Sequence, residues 1–160
     1  VIPGTDSAWA ATRYEGSPRA LVAALKFNRR LALAGVAAEA IAASAPSTLA
    51  VTAVVPAPAD PWRARLRGFD AADLIARSLG GLLGLPVCHC LGRRHAPRQV
   101  GKPRARRLRD APRVQATMRP PAVPLLVDDV VTTGATLAAA TSALRRAGCE
   151  TVLAAAFARA

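Results

Sequence analysis

The chain has 160 residues, 52% of them hydrophobic, and 22 basic against 10 acidic side chains for a net charge of +12. That is one domain's length of chain, too hydrophobic for intrinsic disorder. With no apolar run near the roughly 18 residues of a membrane span, no secretory signal in VIPGTDS and three cysteines, too few for a disulfide scaffold, the expectation is a cytoplasmic single domain over 1–160.

Residues 17–45 predict helix, with Ser17-Pro18 as N-cap and first turn and with Leu21 and Leu25 at helical spacing. Lys26–Arg30 marks a break before a second helical piece. VTAVV (51–55) predicts a buried strand closed by Pro56 and Pro58, and residues 70–84 a helix with Asp70 near its start. A short strand is expected at Val87–Leu91, followed by a long basic loop over 93–110. Loops of that length inside a domain usually carry function. The last elements are a strand at 123–127, a helix at 136–148 closed by Gly148, and a strand at 151–157. Strands alternating with helices predict an α/β domain with a mostly parallel sheet flanked by helices. Residues 1–45 would form a small N-terminal helical hood and residues 50–160 the core.

The charge is segregated. Residues 61–119 hold 14 basic side chains against Asp70, Asp73 and Asp110, a net +11, while the flanks are nearly neutral. Twenty of the 22 basic residues are Arg, whose forked donors suit phosphate. A polyanionic partner follows: a pyrophosphate-bearing metabolite, nucleic acid, or both.

The segment PLLVDDVVTTGAT (124–136) carries the chemistry. An apolar strand delivers Asp128 and Asp129, a Thr/Gly turn follows, and a helix begins. In open α/β sheets, ligands bind beyond the carboxyl ends of strands. Thr132, Thr133, Gly134, Ala135 and Thr136 would offer backbone N–H groups and hydroxyls to an anion at the helix N-terminus. Gly134 would let the backbone approach the ligand closely. The two carboxylates suit the vicinal hydroxyls of a ribose, or a hydrated Mg²⁺.

At these residues the sequence resembles the phosphoribosyltransferases and their fingerprint for 5-phosphoribosyl 1-pyrophosphate (PRPP). The resemblance implies a type I phosphoribosyltransferase fold, with Asp128 and Asp129 on the ribose hydroxyls and Thr132–Thr136 on the 5′-phosphate. Residues 54–76, 98–110 and 14–30 are similar, in addition, to the ComF family of competence-associated proteins. That likeness implies a pyrophosphate loop at Pro58, Ala59 and Asp60, with Arg67 of the Arg67-Gly68-Phe69 signature beside it. It also implies a flexible basic loop bearing Arg98, Gln99, Arg104 and Arg107, which would close over pyrophosphate. The family usually has Asn at the positions of Asp70 and Asp110, and its members commonly carry an N-terminal zinc-finger-like region that this sequence is expected to lack.

The implied reaction is phosphoribosyl transfer from PRPP, with Mg²⁺, to an unspecified acceptor; no catalytic residue is assigned. The alternative is a PRPP-sensing module that binds single-stranded DNA through 61–119 during DNA uptake. A homodimer is left open. Other features read as structural. Cys88 and Cys90 share one face of a strand and His89 the other, which fits small buried side chains better than a zinc site, and no direct zinc ligation is expected. His95 reads as a solvated loop residue, Cys149 as structural, Trp62 as packing under a loop or stacking on a base, and Glu39 as solvent-facing.

Overall fold

The computed structural model describes residues 2–28, 32–47, 49–59, 70–93 and 113–160. Its elements are β1 (Ser7–Arg13), α1 (Gly16–Asn28), α2 (Ala32–Ala43), β2 (Ala53–Pro56), α3 (Ala71–Leu83), β3 (Leu91–Arg93), β4 (Val114–Ala116), β5 (Pro124–Val131), α4 (Ala135–Arg146) and β6 (Leu153–Arg159). Four strands make one wholly parallel sheet in the order β1-β6-β5-β2. A parallel sheet is covered on both faces, so its strands are near-continuous apolar runs. All four residues of β2 are buried, as are Leu125, Leu126 and Val127 of β5.

The pleat divides these side chains between two cores. Leu125 and Val127 pack with Val22 and Leu25 of α1, Ile41 of α2, and Ile75 and Leu79 of α3. Leu126 packs on the other face with Leu137 and Leu144 of α4, Val114 of β4 and Ile2. Each such fully buried Leu or Val stabilises the fold by about 1.5–3 kcal/mol relative to exposure. The sheet is flanked by helices on both faces, as expected for a type I phosphoribosyltransferase-like α/β fold.

The sequence and the structure part at four places. β1 is absent from the sequence reading because SAWAATR has no β-branched run; it forms by parallel pairing with the equally Ala-rich β6, from Ser7↔Leu153 to Arg13↔Arg159. The N-terminal segment is therefore a sheet strand as well as helices, and α2 lies on α3, β1 and β6. The strand expected at Val87–Leu91 is a single parallel bridge from Val87 to Val54, and the ladder begins only at Leu91, where β3 pairs antiparallel with β4. β4 owes its strand to that partner, since VQA alone is too short to signal one. Finally, β5 continues through the Asp pair to Val131, because β6 pairs with it along that whole length.

Candidate functional site

β5 lies inside the sheet, flanked by β6 and β2. Its carboxyl end holds Asp128 and Asp129, and the pleat sends consecutive side chains to opposite faces. Asp128 lines a recess of about 220 Å³, open to solvent, together with Thr132, Thr133, Gly134, Ala135 and Thr136. Asp129 is 8% exposed and faces the side of α3. Each carboxylate accepts the next residue's N–H at 2.8 Å, Asp128 Oδ1 from Asp129 N and Asp129 Oδ1 from Val130 N, which fixes both rotamers.

The turn after β5 ends at Gly134, the N-cap of α4, with φ 76°. That left-handed conformation favours glycine. Thr133 Oγ1 accepts from Ala135 N at 3.4 Å, and Thr132, Thr133 and Ala135 are exposed. Gly134 itself has no side chain to cap α4, so apart from Ala135 N the first N–H groups of the helix, with the positive end of its dipole, are left toward the recess. The geometry suits a phosphate. The close approach that Gly134 allows is also used from below: a Cβ there would stand 2.7 Å from Ile2 Cδ1.

A third carboxylate enters from α3. Asp70 is that helix's N-cap and accepts from Ala72 N at 3.0 Å. Burial pushes the Asp70 carboxyl above its ordinary range, and the neighbouring charge of Asp129 adds to this, against the N–H groups of Ala72 and Ala59. The Ala59 contact ties the segment after β2 to the start of α3. Arg93, at the end of β3, ties the same segment from the other side, its Nε donating to the Pro58 carbonyl at 2.9 Å. Pro58 and Ala59 are thus held between α3 and β3.

Of the residues selected from sequence, Asp128 and Thr132–Thr136 border one recess, and Asp129, Asp70 and Ala59 form a neighbouring group. Asp60, Arg67, Arg98, Gln99, Arg104 and Arg107 lie outside the described residues, as do Trp62, His95 and Asp110. Arg93 and Ile2 were missed. Arg93 is one Arg among many, and nothing local to Ile2 signals its contact with a loop more than 130 residues away.

The remaining candidates fall in place by packing. Cys90 is fully buried in the second core, with Cys88 partly buried beside it. Burial first, and the adjacent Cys88, push the Cys90 thiol up to about 12. His89 turns the other way and meets Asp73, Nε2 to Oδ1 at 2.6 Å, while Arg77 holds the second Asp73 oxygen at 2.9 Å. Cys149 Sγ donates to the Pro121 carbonyl at 3.4 Å, and Glu39 is exposed. Among the described residues no three His, Cys, Asp or Glu side chains are grouped to hold a metal ion, and no helix is long and apolar enough to cross a membrane.

A second, larger cleft adjoins the recess and shares Val131, Thr132, Thr133 and Leu137 with it. Its volume is about 490 Å³ including the open mouth, and its other walls are Ile2, Ala8, Trp9, Ala10, Ala154 and Arg159. The N-terminal segment therefore contributes a wall next to the Thr132–Gly134 turn.

No curated protein matches the chain. The family model described as the phosphoribosyl transferase domain matches residues 67–160, more than half of the sequence, from before α3 through β6. It covers the Asp pair, the Thr/Gly turn and the helix they lead into. With a parallel α/β sheet and a Thr/Gly turn at the carboxyl end of an inner strand, the chain belongs to the phosphoribosyl transferase domain family.

Proposed function

We propose that the protein binds PRPP with Mg²⁺ and transfers its phosphoribosyl group to an acceptor, releasing pyrophosphate, as a ComF-type member of the family. The observation that carries this is the shared recess of Asp128 and Thr132–Thr136 at the end of β5, within the matched region. In this reading the N–H groups and hydroxyls of Thr132–Thr136 hold the 5′-phosphate. Asp128 and Asp129 accept hydrogen bonds from the ribose hydroxyls. Pro58 and Ala59, with Asp60 and Arg67, form the pyrophosphate loop, and Arg98, Gln99, Arg104 and Arg107 supply positive charge over it.

Hard carboxylate oxygens beside a phosphate site suit Mg²⁺, which is commonly held by one or two carboxylates together with substrate phosphates. Asp128 and Asp129 would hold it, and the ion would offset charge on the leaving pyrophosphate. In the transfer, the bond from C1 to the pyrophosphate oxygen breaks and pyrophosphate leaves with the electron pair. The acceptor's lone pair forms the new bond to C1, and its proton passes to solvent. The protein contributes by orienting the ribose and by placing fixed donors where charge develops. The cleft bounded by Ile2, Ala10, Thr133 and Arg159 provides room for an acceptor beside the turn.

Calorimetric titration of Mg²⁺ and PRPP into the protein, with Asp128→Asn and Asp129→Asn alongside, tests the binding half. A hydrogen bond to a charged group is worth about 1.5–3 kcal/mol. Each variant is therefore expected to bind at least roughly ten-fold more weakly. Absence of binding by the unaltered protein overturns the proposal. Pyrophosphate release on addition of candidate bases and amines then tests the transfer.

A further inference from the structure

The phosphate turn rests on a segment from the far end of the chain. Residues 2–6 (IPGTD) cross beneath α4 before entering β1. The segment is turned at Gly4, φ 82°, and closed by Thr5, whose N and Oγ1 both donate to the Ile2 carbonyl, at 3.3 and 2.8 Å. It is then latched by Arg145 of α4. The Arg145 Nε and Nη2 donate to the Gly4 carbonyl at 3.2 and 3.1 Å, and Nη2 reaches Asp6 Oδ2 at 2.6 Å. Its Nη1 donates to the carbonyls of Cys149 and Glu150, so every nitrogen of the guanidinium is used. Asp6 Oδ2 also accepts from Val152 N at 2.7 Å, and Asp6 N donates to the Val152 carbonyl at 3.0 Å.

The latch delivers Ile2. This side chain is 8% exposed, packs in the second core, and has its Cδ1 2.7 Å from where a Cβ on Gly134 would stand. Gly134 is the residue whose left-handed backbone turns β5 into α4, and glycine is the residue least able to hold one conformation by itself. A branched side chain against its α-carbon removes alternatives, and a turn ordered before binding loses less entropy when the phosphate arrives.

We propose that Ile2 is a positioning residue for the phosphate turn: held on Gly134 by the Arg145 latch, it pre-orders Thr132–Thr136 for the phosphate of the ligand. The ligand identity rests on the PRPP reading above. The role is distinct from contact with the ligand, and also from simple core filling, because its effect falls on affinity.

The test compares the unaltered chain with Ile2→Ala, Ile2→Val and Arg145→Met by calorimetry with PRPP and Mg²⁺, with thermal unfolding of each. Ile2→Ala is expected to raise Kd about ten-fold, with Ile2→Val recovering most of the loss. Where an acceptor supports turnover, the KM for PRPP rises in Arg145→Met, which leaves the Ile2 side chain in place. Arg145→Met keeps the Ile2 side chain but releases the segment, and gives the same pattern should Ile2→Ala fail to fold. Binding by a folded Ile2→Ala or Arg145→Met variant equal to that of the unaltered chain overturns the inference and leaves the PRPP reading standing. If the unaltered chain does not bind PRPP, that reading fails instead. Amide hydrogen exchange then decides the present inference: selectively faster exchange at Thr133–Thr136 in the variants supports it, and unchanged exchange refutes it.

Discussion

Gly80 and Gly81 are consecutive residues of α3, and substitution by Ala is expected to act in opposite directions at the two. In a helix interior, Gly to Ala is favourable by about 0.8–1 kcal/mol from propensity alone. Gly81 is exposed and an added Cβ meets nothing within 4 Å, so Gly81→Ala should realise that gain. At Gly80 the added Cβ stands 2.8 Å from the Leu85 carbonyl oxygen and 2.9 Å from Val87 Cγ2. The Leu85 carbonyl cannot swing away freely, because Leu85 N and Gly84 N both bond back to the Gly80 carbonyl. Val87 is likewise fixed by its bridge to Val54. Overpacking of this kind costs typically about 1–3 kcal/mol. A mid-range cost less the propensity gain leaves Gly80→Ala roughly 1 kcal/mol less stable than the unaltered chain. The two variants should then differ by about 2 kcal/mol, or roughly 4–8 °C in Tm for a chain of this size. Urea and thermal unfolding followed by circular dichroism measure the gap. Equal stability of the two, or a more stable Gly80→Ala, would refute the assumption that the close fit of α3 on the Leu85–Val87 turn is rigid.

The titration of Asp70 predicts a second effect. Its folded-state pKa lies above the ordinary value of 3.8, so the stability tied to its neutral form is present below that value and is lost as pH rises through the raised pKa. Asn caps a helix as well as Asp does. Asp70→Asn should therefore be more stable than the unaltered chain at pH 7, with a gap that closes on acidification toward 3.8; an unfolding series in pH shows whether it does. Asp6 has the opposite sign, held low first by the Val152 N–H, against desolvation, with Arg145 adding to the lowering. Its stabilisation is present above pH 3.8 and disappears as pH falls through the lowered pKa, so Asp6→Asn should be destabilised at pH 7 and match the unaltered chain in strong acid. The thiols should separate by access: brief alkylation of the native protein should label Cys88 alone, since Cys90 and Cys149 are buried with raised pKa values, and denaturation should expose all three. Native labelling of Cys90 by mass spectrometry would contradict that packing.

What local chemistry specifies was readable from residues alone. Asp70 before AADLIA names the start of α3, and the structure has it as N-cap. The apolar run PLLV, the acid pair and the Thr/Gly turn need only the strand period and glycine's backbone freedom to be read as strand, turn and helix. Helix over 17–45 was likewise apparent, although the first helix begins at Gly16, so Ser17 lies inside it, and it runs to Asn28, through the first three residues of the break expected at Lys26–Arg30. The basic residues selected for the pyrophosphate side rest on sequence likeness, because they lie outside the described residues.

Pairing and proximity between distant segments were decided only by the tertiary structure. An Ala-rich stretch such as 7–13 is a strand because β6 runs beside it, and VQA is one because β3 does. The pleat separates Asp128 from Asp129, but packing determines that one lines the recess with Thr132–Thr136 while the other lies beside Asp70. Arg93 on the Pro58 carbonyl and Ile2 on Gly134 join residues that no periodicity connects. Short-range preferences act over a turn or a pleat and leave their mark in neighbouring residues. Contacts between segments far apart in the chain arise from the closure of the whole sheet, so they are absent from any local window of sequence.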